Sequence, residues 1–189
     1  MARDLTAPTR PRMGWLPNAL TLTRLLAIPV LLAVLIAADG PTSPAAAWLF
    51  GAVAVTDYLD GWLARRLKAE SRFGQLADPL VDRLLVAVGL VGLILLDRLH
   101  PAGPAILLAR DLLAVAGFAL LIRLGHDPRV DIWGKLASAL AMAATALAML
   151  STATWIDVIF WVAVAFAVVT LLNYVRTAAR KRASTSTPA

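Results

Sequence analysis

The chain has 189 residues, of which 60% are hydrophobic and 16% charged, with a formal net charge of +6 and no cysteine. Its mean hydropathy is +0.75, and its apolar share is well above that of an ordinary soluble domain. Disulfides and thiolate metal sites are excluded, and the basic excess fits orientation in a bilayer and contact with anionic lipid better than it fits nucleic acid.

The first segment, 1–19, contains "MARDLTAPTRPRMGWLP". It is too proline-rich for a long helix, while Met13, Trp15 and Leu16 suit the membrane interface beside their arginines. Hydropathy then predicts six spans, at 20–38, 45–64, 75–96, 104–122, 133–151 and 155–174. The first carries Arg24 in its apolar core and Pro29, which predicts a kink. An interrupted core followed by five more spans argues against a signal peptide. Turn-forming stretches separate the spans: "DGPTSP" after the first, "HPAGP" after the third and "GHDP" after the fourth. His100 and His126 fall in such connections, far apart, which argues against a histidine-based zinc site.

Basic residues mark one side of the membrane. Arg3, Arg10 and Arg12 precede the first span, and Arg65, Arg66, Lys68 and Arg72 follow the second. Arg123, Arg129 and Lys135 flank the fourth connection, and Arg176, Arg180, Lys181 and Arg182 occupy the tail; the opposite connections hold only Arg98. The positive-inside rule places both termini in the cytoplasm. The reading is an all-α integral membrane protein of the cell membrane, multi-pass, with six transmembrane helices in one bundle over 20–176. The tail, 177–189, is basic and ends in "ASTSTPA", which reads as disordered.

The stretch "DYLDGWLARRLKAESRFGQLADPLVD", 57–82, places four aspartates in this apolar chain. Asp57 and Asp60 are three apart near the end of the second span; Asp78 and Asp82 are four apart at the start of the third. Both spacings set a pair on one helix face. A short basic connection makes the two spans antiparallel neighbours, so all four carboxylates converge just inside the cytoplasmic surface. Such a group repels itself unless cations are bound. Oxygen-only ligands suit Mg²⁺ or Mn²⁺, and two such ions form a clamp suited to displacement at phosphorus. Gly61 and Ala64 leave the face beyond Asp57 nearly bare, Arg65 at the membrane edge can grip a phosphate, and Gly74 relieves crowding before the second pair. A transporter that carries a cation or proton is the rival class. It would place its charges near the midplane and show inverted repeats, whereas here the charges cluster at one face and no repeat is visible.

At these residues the sequence resembles the CDP-alcohol phosphatidyltransferase family, whose pattern D-x2-D-G-x2-A-R-x8-G-x3-D-x3-D stands complete as Asp57, Asp60, Gly61, Ala64, Arg65, Gly74, Asp78 and Asp82. The resemblance implies that Asp57, Asp60 and Asp78 hold one metal and that Asp57, Asp78 and Asp82 share a second. It implies Asp82 as general base and CDP-diacylglycerol contacts at Gly61, Ala64, Arg65 and Ser71, with Asn18 and Thr21 of "PNALT" bordering the cytidine pocket. It also implies a homodimer that transfers the phosphatidyl group to an alcohol and releases CMP at the cytoplasmic face.

"PNALTLTRLLAIPVLLAVL", "ARD" at 109–111 and "GK" at 134–135 look like the branch that uses glycerol 3-phosphate, or phosphatidylglycerol in cardiolipin synthesis. Arg110 and Lys135 are candidate cations for an acceptor phosphate. Their plainer readings are a pairing of Arg110 in the neighbourhood of Asp111 and a membrane-boundary role for Lys135. Asp111 alone reads as a helix–helix hydrogen bond. "LAS" after "GK", Asp111 and Arg83 depart from the glycerophosphate pattern, which keeps cardiolipin synthesis as the alternative.

Overall fold

The computed structural model describes residues 15–67, 72–123 and 132–185; at 15–21, 57–58, 60–67, 72–80, 118, 121–122 and 178–185 it is the helical path that is described. The described residues form six helices: α1 (Trp15–Ile36), α2 (Pro44–Leu67), α3 (Arg72–Leu95), α4 (Ala102–Arg123), α5 (Ile132–Leu150) and α6 (Thr154–Thr185). Their ends follow from local chemistry. Ser43 caps α2, its Oγ accepting from the Ala46 amide at 3.3 Å, with Pro44 in the first helical position. At the end of α3 the Arg98 amide donates to Leu93 O and the Asp97 amide to Ile94 O, both at 3.0 Å. Asp97 sits there with φ 49°, the left-handed C-terminal cap for which glycine, asparagine or aspartate is suited.

The start of α1 and the end of α6 differ most from the sequence expectation. Helix α1 begins at Trp15, inside the segment assigned to the interface, because Pro17 falls in the first turn, where an amide would have no intrahelical partner anyway. Helix α6 runs on to Thr185, well past 176. Arginine and lysine are good helix formers, and cations near a helix C-terminus interact favourably with its dipole, so the basic run extends the helix.

Helix α1 packs on α3 and α2, α5 packs on α6, α2 and α3, and α4 packs on α3 and α6. α5 and α6 pack together and both bury alanines: Ala137, Ala141, Ala144 and Ala148 on α5, and Ala163 and Ala167 on α6. Small residues at helical spacing allow the backbones to approach closely. Glycine serves the same end on α3. A Cβ at Gly89 would come within 2.8 Å of the Phe50 ring of α2, and one at Gly92 within 2.5 Å of Leu35 of α1.

The surface is not one that water favours. Large apolar side chains are exposed on every helix, among them Leu26, Trp48, Leu95, Leu112, Trp133 and Trp155, while Arg24, Arg98 and Arg110 are buried. α5 and the Thr154–Thr177 part of α6 are each long and apolar enough to cross a membrane. At one end of the bundle Arg98 ties three elements together. Its Nε donates to Ala148 O at 3.0 Å, its Nη2 donates to Ser151 O at 2.7 Å, and its Nη2 also pairs with Asp157 of α6 at 2.7 Å.

Candidate functional site

Three helices carry the pattern residues. Asn18 and Thr21 lie in the first two turns of α1. Asp57, Asp60, Gly61, Ala64 and Arg65 lie in the last three turns of α2, and Gly74, Asp78 and Asp82 in the first three turns of α3. Ser71, in the connection, lies outside the described residues. α2 and α3 both pack on α1, and they approach each other where the Phe50 ring lies 2.8 Å from the place of a Cβ at Gly89. Seven residues on from Phe50 is Asp57, and seven residues back from Gly89 is Asp82. Each is two turns from the contact, a distance of about 10 Å along the helix axis.

Asp82 is the pattern aspartate whose side chain is described. It is 36% exposed, and its Oδ1 lies 3.2 Å from Nη1 of Arg24, whose side chain is 9% exposed. Sequence reasoning marked Arg24 only as an interruption of an apolar span. The signal for its role was there: an arginine inside a span needs an anionic or carbonyl partner, and the neighbouring spans offered aspartates. All four pattern acids are carboxylates with no nitrogen or sulfur donor among them, which is the donor chemistry of a hard divalent cation. The residues fit a Mg²⁺- or Mn²⁺-type ion.

A second polar cluster begins one residue further along α3. Arg83 Nη1 donates to Asp111 Oδ1 of α4 at 2.5 Å, and Arg110 Nη1 donates to the same oxygen at 2.6 Å. Arg110 Nη1 also donates to Ser138 Oγ of α5 at 3.1 Å, and the Ser138 hydroxyl in turn donates to Gly134 O at 3.1 Å. Arg110 is 7% exposed, and its Nε is buried without a hydrogen-bond partner among the described residues. The plain reading of Asp111 as an interhelical bond is what the geometry shows, and Arg110 does pair with it. Lys135, next to Gly134, is exposed.

Asp82 and Arg83 are therefore consecutive residues that turn to opposite neighbours, the first to α1 and the second to α4. Consecutive helical residues point about 100° apart, so α3 is common to the aspartate group and to the cationic cluster.

Residues 14–169 match the family model for CDP-alcohol phosphatidyltransferase. The CDP-diacylglycerol–glycerol-3-phosphate 3-phosphatidyltransferase of Bacillus subtilis is 33% identical, over 84% of this chain and 92% of its own length. The protein of the same name in Escherichia coli K12 is 31% identical, over 86% and 94% respectively. A CMP-forming cardiolipin synthase of Streptomyces coelicolor is 37% identical, over 77% of this chain and 70% of its own. The chain belongs to the CDP-alcohol phosphatidyltransferase family.

Proposed function

We propose that this phosphatidyltransferase of phospholipid biosynthesis moves the phosphatidyl group of CDP-diacylglycerol to glycerol 3-phosphate and releases CMP. The observation that carries the reading is the complete eight-residue pattern, Asp57 to Asp82, on the ends of α2 and α3. Residues 20–176 form the membrane body with six spans, and the basic residues at one side put the termini and the site in the cytoplasm. The segments 1–19 and 177–189 flank that body, which we take to act as a homodimer. The exposed apolar side chains on every helix support solvation by lipid.

Asp57, Asp60, Asp78 and Asp82 would hold two divalent ions, Mg²⁺ or Mn²⁺, which when bound neutralise the diphosphate. The remaining chemistry falls to side chains. Asp82 takes the proton from the acceptor hydroxyl, and that oxygen forms a bond to the β-phosphorus as the bond to the bridging oxygen breaks, with the electron pair leaving on CMP. Arg65 holds the nucleotide phosphates, Gly61, Ala64, Ser71 and Gly74 leave room for the CDP group, and Asn18 and Thr21 border the cytidine. The lipid tails lie among the apolar helices while the head group stays at the aqueous edge.

Arg110 and Lys135 serve the acceptor phosphate. Support comes from the placement of Arg110 beside the α3 turn that carries Asp82, with its Nε buried and unpartnered among the described residues. A second reading, phosphatidylglycerol as acceptor, is favoured by the cardiolipin synthase relative. An acceptor panel separates them: purified protein with labelled CDP-diacylglycerol and Mg²⁺ or Mn²⁺ is given glycerol 3-phosphate, phosphatidylglycerol, inositol 1-phosphate or serine. CMP release with glycerol 3-phosphate is expected. Release with phosphatidylglycerol alone moves the assignment to the second reading, and no release with any of them overturns both.

A further inference from the structure

We propose that Arg24 is a positioning residue for Asp82, gripping its carboxylate from within the bundle and serving as a built-in counter-charge to the aspartate group. The inference rests on the phosphatidyltransferase reading above, which gives Asp82 its task.

The place of Arg24 is fixed by packing. Arg24, Ile28, Leu31 and Leu35 form one buried stripe on α1, at 7%, 8%, 0% and 2% exposure. Spacings of four, three and four residues keep them on one face, and that face meets α3. Leu35 fits against Gly92 at one end of the stripe, and Arg24 meets Asp82 at the other. The two contacts are eleven residues apart on α1 and ten apart on α3, so the helices run parallel and in step over about 15 Å. A guanidinium at the end of such a rail has little freedom to move.

Arg24 is set among apolar residues on α1. Leu22, Leu25 and Leu26 are exposed apolar residues on the same turns. Burying a charge among them is costly unless it is paired. Arginine stays charged under any working condition and presents its donors in a rigid plane, so it can orient a carboxylate as well as neutralise it. A base must be aimed at its proton, and a misplacement of about 1 Å can cost about 100-fold in rate. The same positive charge lies beside the group of acids and opposes cation binding there.

Those two effects give a signature that loss of packing would not. The full-length protein, Arg24→Met and Arg24→Lys are compared by melting temperature, by Mn²⁺ binding without substrate (read by electron paramagnetic resonance), and by kcat and KM for CDP-diacylglycerol. Arg24→Met is expected to bind Mn²⁺ about tenfold more tightly, since a nearby cation is gone. Its kcat falls about 100-fold while KM stays within about threefold. Arg24→Lys keeps the charge and loses the planar fork; it holds the wild-type Mn²⁺ affinity and melting temperature and loses about tenfold in kcat.

Wild-type kcat in either variant overturns the proposal. So does a joint fall in melting temperature, Mn²⁺ affinity and kcat, which is the mark of a purely structural pair. Should Arg24→Met not fold, Arg24→Lys decides by the same kcat criterion. A wild-type protein that releases no CMP with any acceptor sinks the underlying reading instead, so the two failures are distinct.

Discussion

Arg83 on α3 and Arg110 on α4 share a single carboxylate oxygen, Oδ1 of Asp111, at 2.5 and 2.6 Å. One anion thus serves two cations of unequal burial: the Arg83 side chain is 32% exposed and that of Arg110 7%. Removing Asp111 leaves the buried guanidinium uncompensated, and Asp111→Ala is expected to cost about 3–5 kcal/mol. Arg83→Met leaves the better-buried pair in place and should cost about 1 kcal/mol or less. Chemical denaturation in detergent, read by tryptophan fluorescence, ranks the two; equal losses would contradict the order of burial.

The glycines make an internal control. Gly89→Ala would push a Cβ to within 2.8 Å of Phe50, a ring that is fully buried, and Gly92→Ala would meet Leu35 at 2.5 Å. Overpacking of this kind costs about 1–3 kcal/mol. Gly51 and Gly117 have nothing within 4 Å of an added Cβ. There alanine should be neutral or stabilising by up to about 1 kcal/mol, through its higher helix propensity. Thermal melts of the four variants test the contrast.

Arg98→Met separates stability from turnover. The guanidinium donates to Ala148 O near the end of α5 and to Ser151 O just beyond it and pairs with Asp157 of α6, and Arg98 is 8% exposed. Its loss strands the Asp157 carboxylate and the α5 terminus at a cost of about 3 kcal/mol. The residue lies at the far end of α3 from Asp82, so kcat per folded protein should stay at the wild-type value. A fall in kcat at full folding would show that the two ends are coupled.

Metal removal tests the aspartate group directly. Chelation should abolish CMP release, and added Mg²⁺ or Mn²⁺ should restore it. Zn²⁺, which favours nitrogen and sulfur donors, should restore less. Asp57→Asn and Asp78→Asn should need far more metal to reach any turnover. Asp82→Asn should lose about 100- to 10,000-fold in kcat, the usual worth of a general base. Turnover that persists after chelation would remove the metal from the reading.

Much of this was legible because the period of hydrophobicity and the proline–glycine breaks both report on the backbone. The expected span 133–151 and helix Ile132–Leu150 differ by one residue at each end, and 104–122 against Ala102–Arg123 by one or two. The ends of α1 and α6 were not legible, because Trp15 and the basic run after 176 sit where hydropathy falls but helix propensity does not. The pattern Asp57 to Asp82 could be read from spacing alone. The partners could not: Arg24 is 58 positions from Asp82, and Arg83 is 28 from Asp111. Which helix face meets which neighbour is a property of the packed bundle, and hydropathy carries no such information.

The adjacency of Asp82 and Arg83 constrains anyone who would redesign the acceptor. A replacement on α3 that displaces the Arg83–Asp111 contact is expected to disturb the Arg24–Asp82 contact as well, because Asp82 and Arg83 are consecutive. Ser138 and Lys135 sit on α5, which touches the cationic cluster without bearing any of the four aspartates. On the proposed roles of Lys135 and Asp82, libraries meant to exchange one alcohol for another belong on that helix, away from the residue assigned to activate the nucleophile.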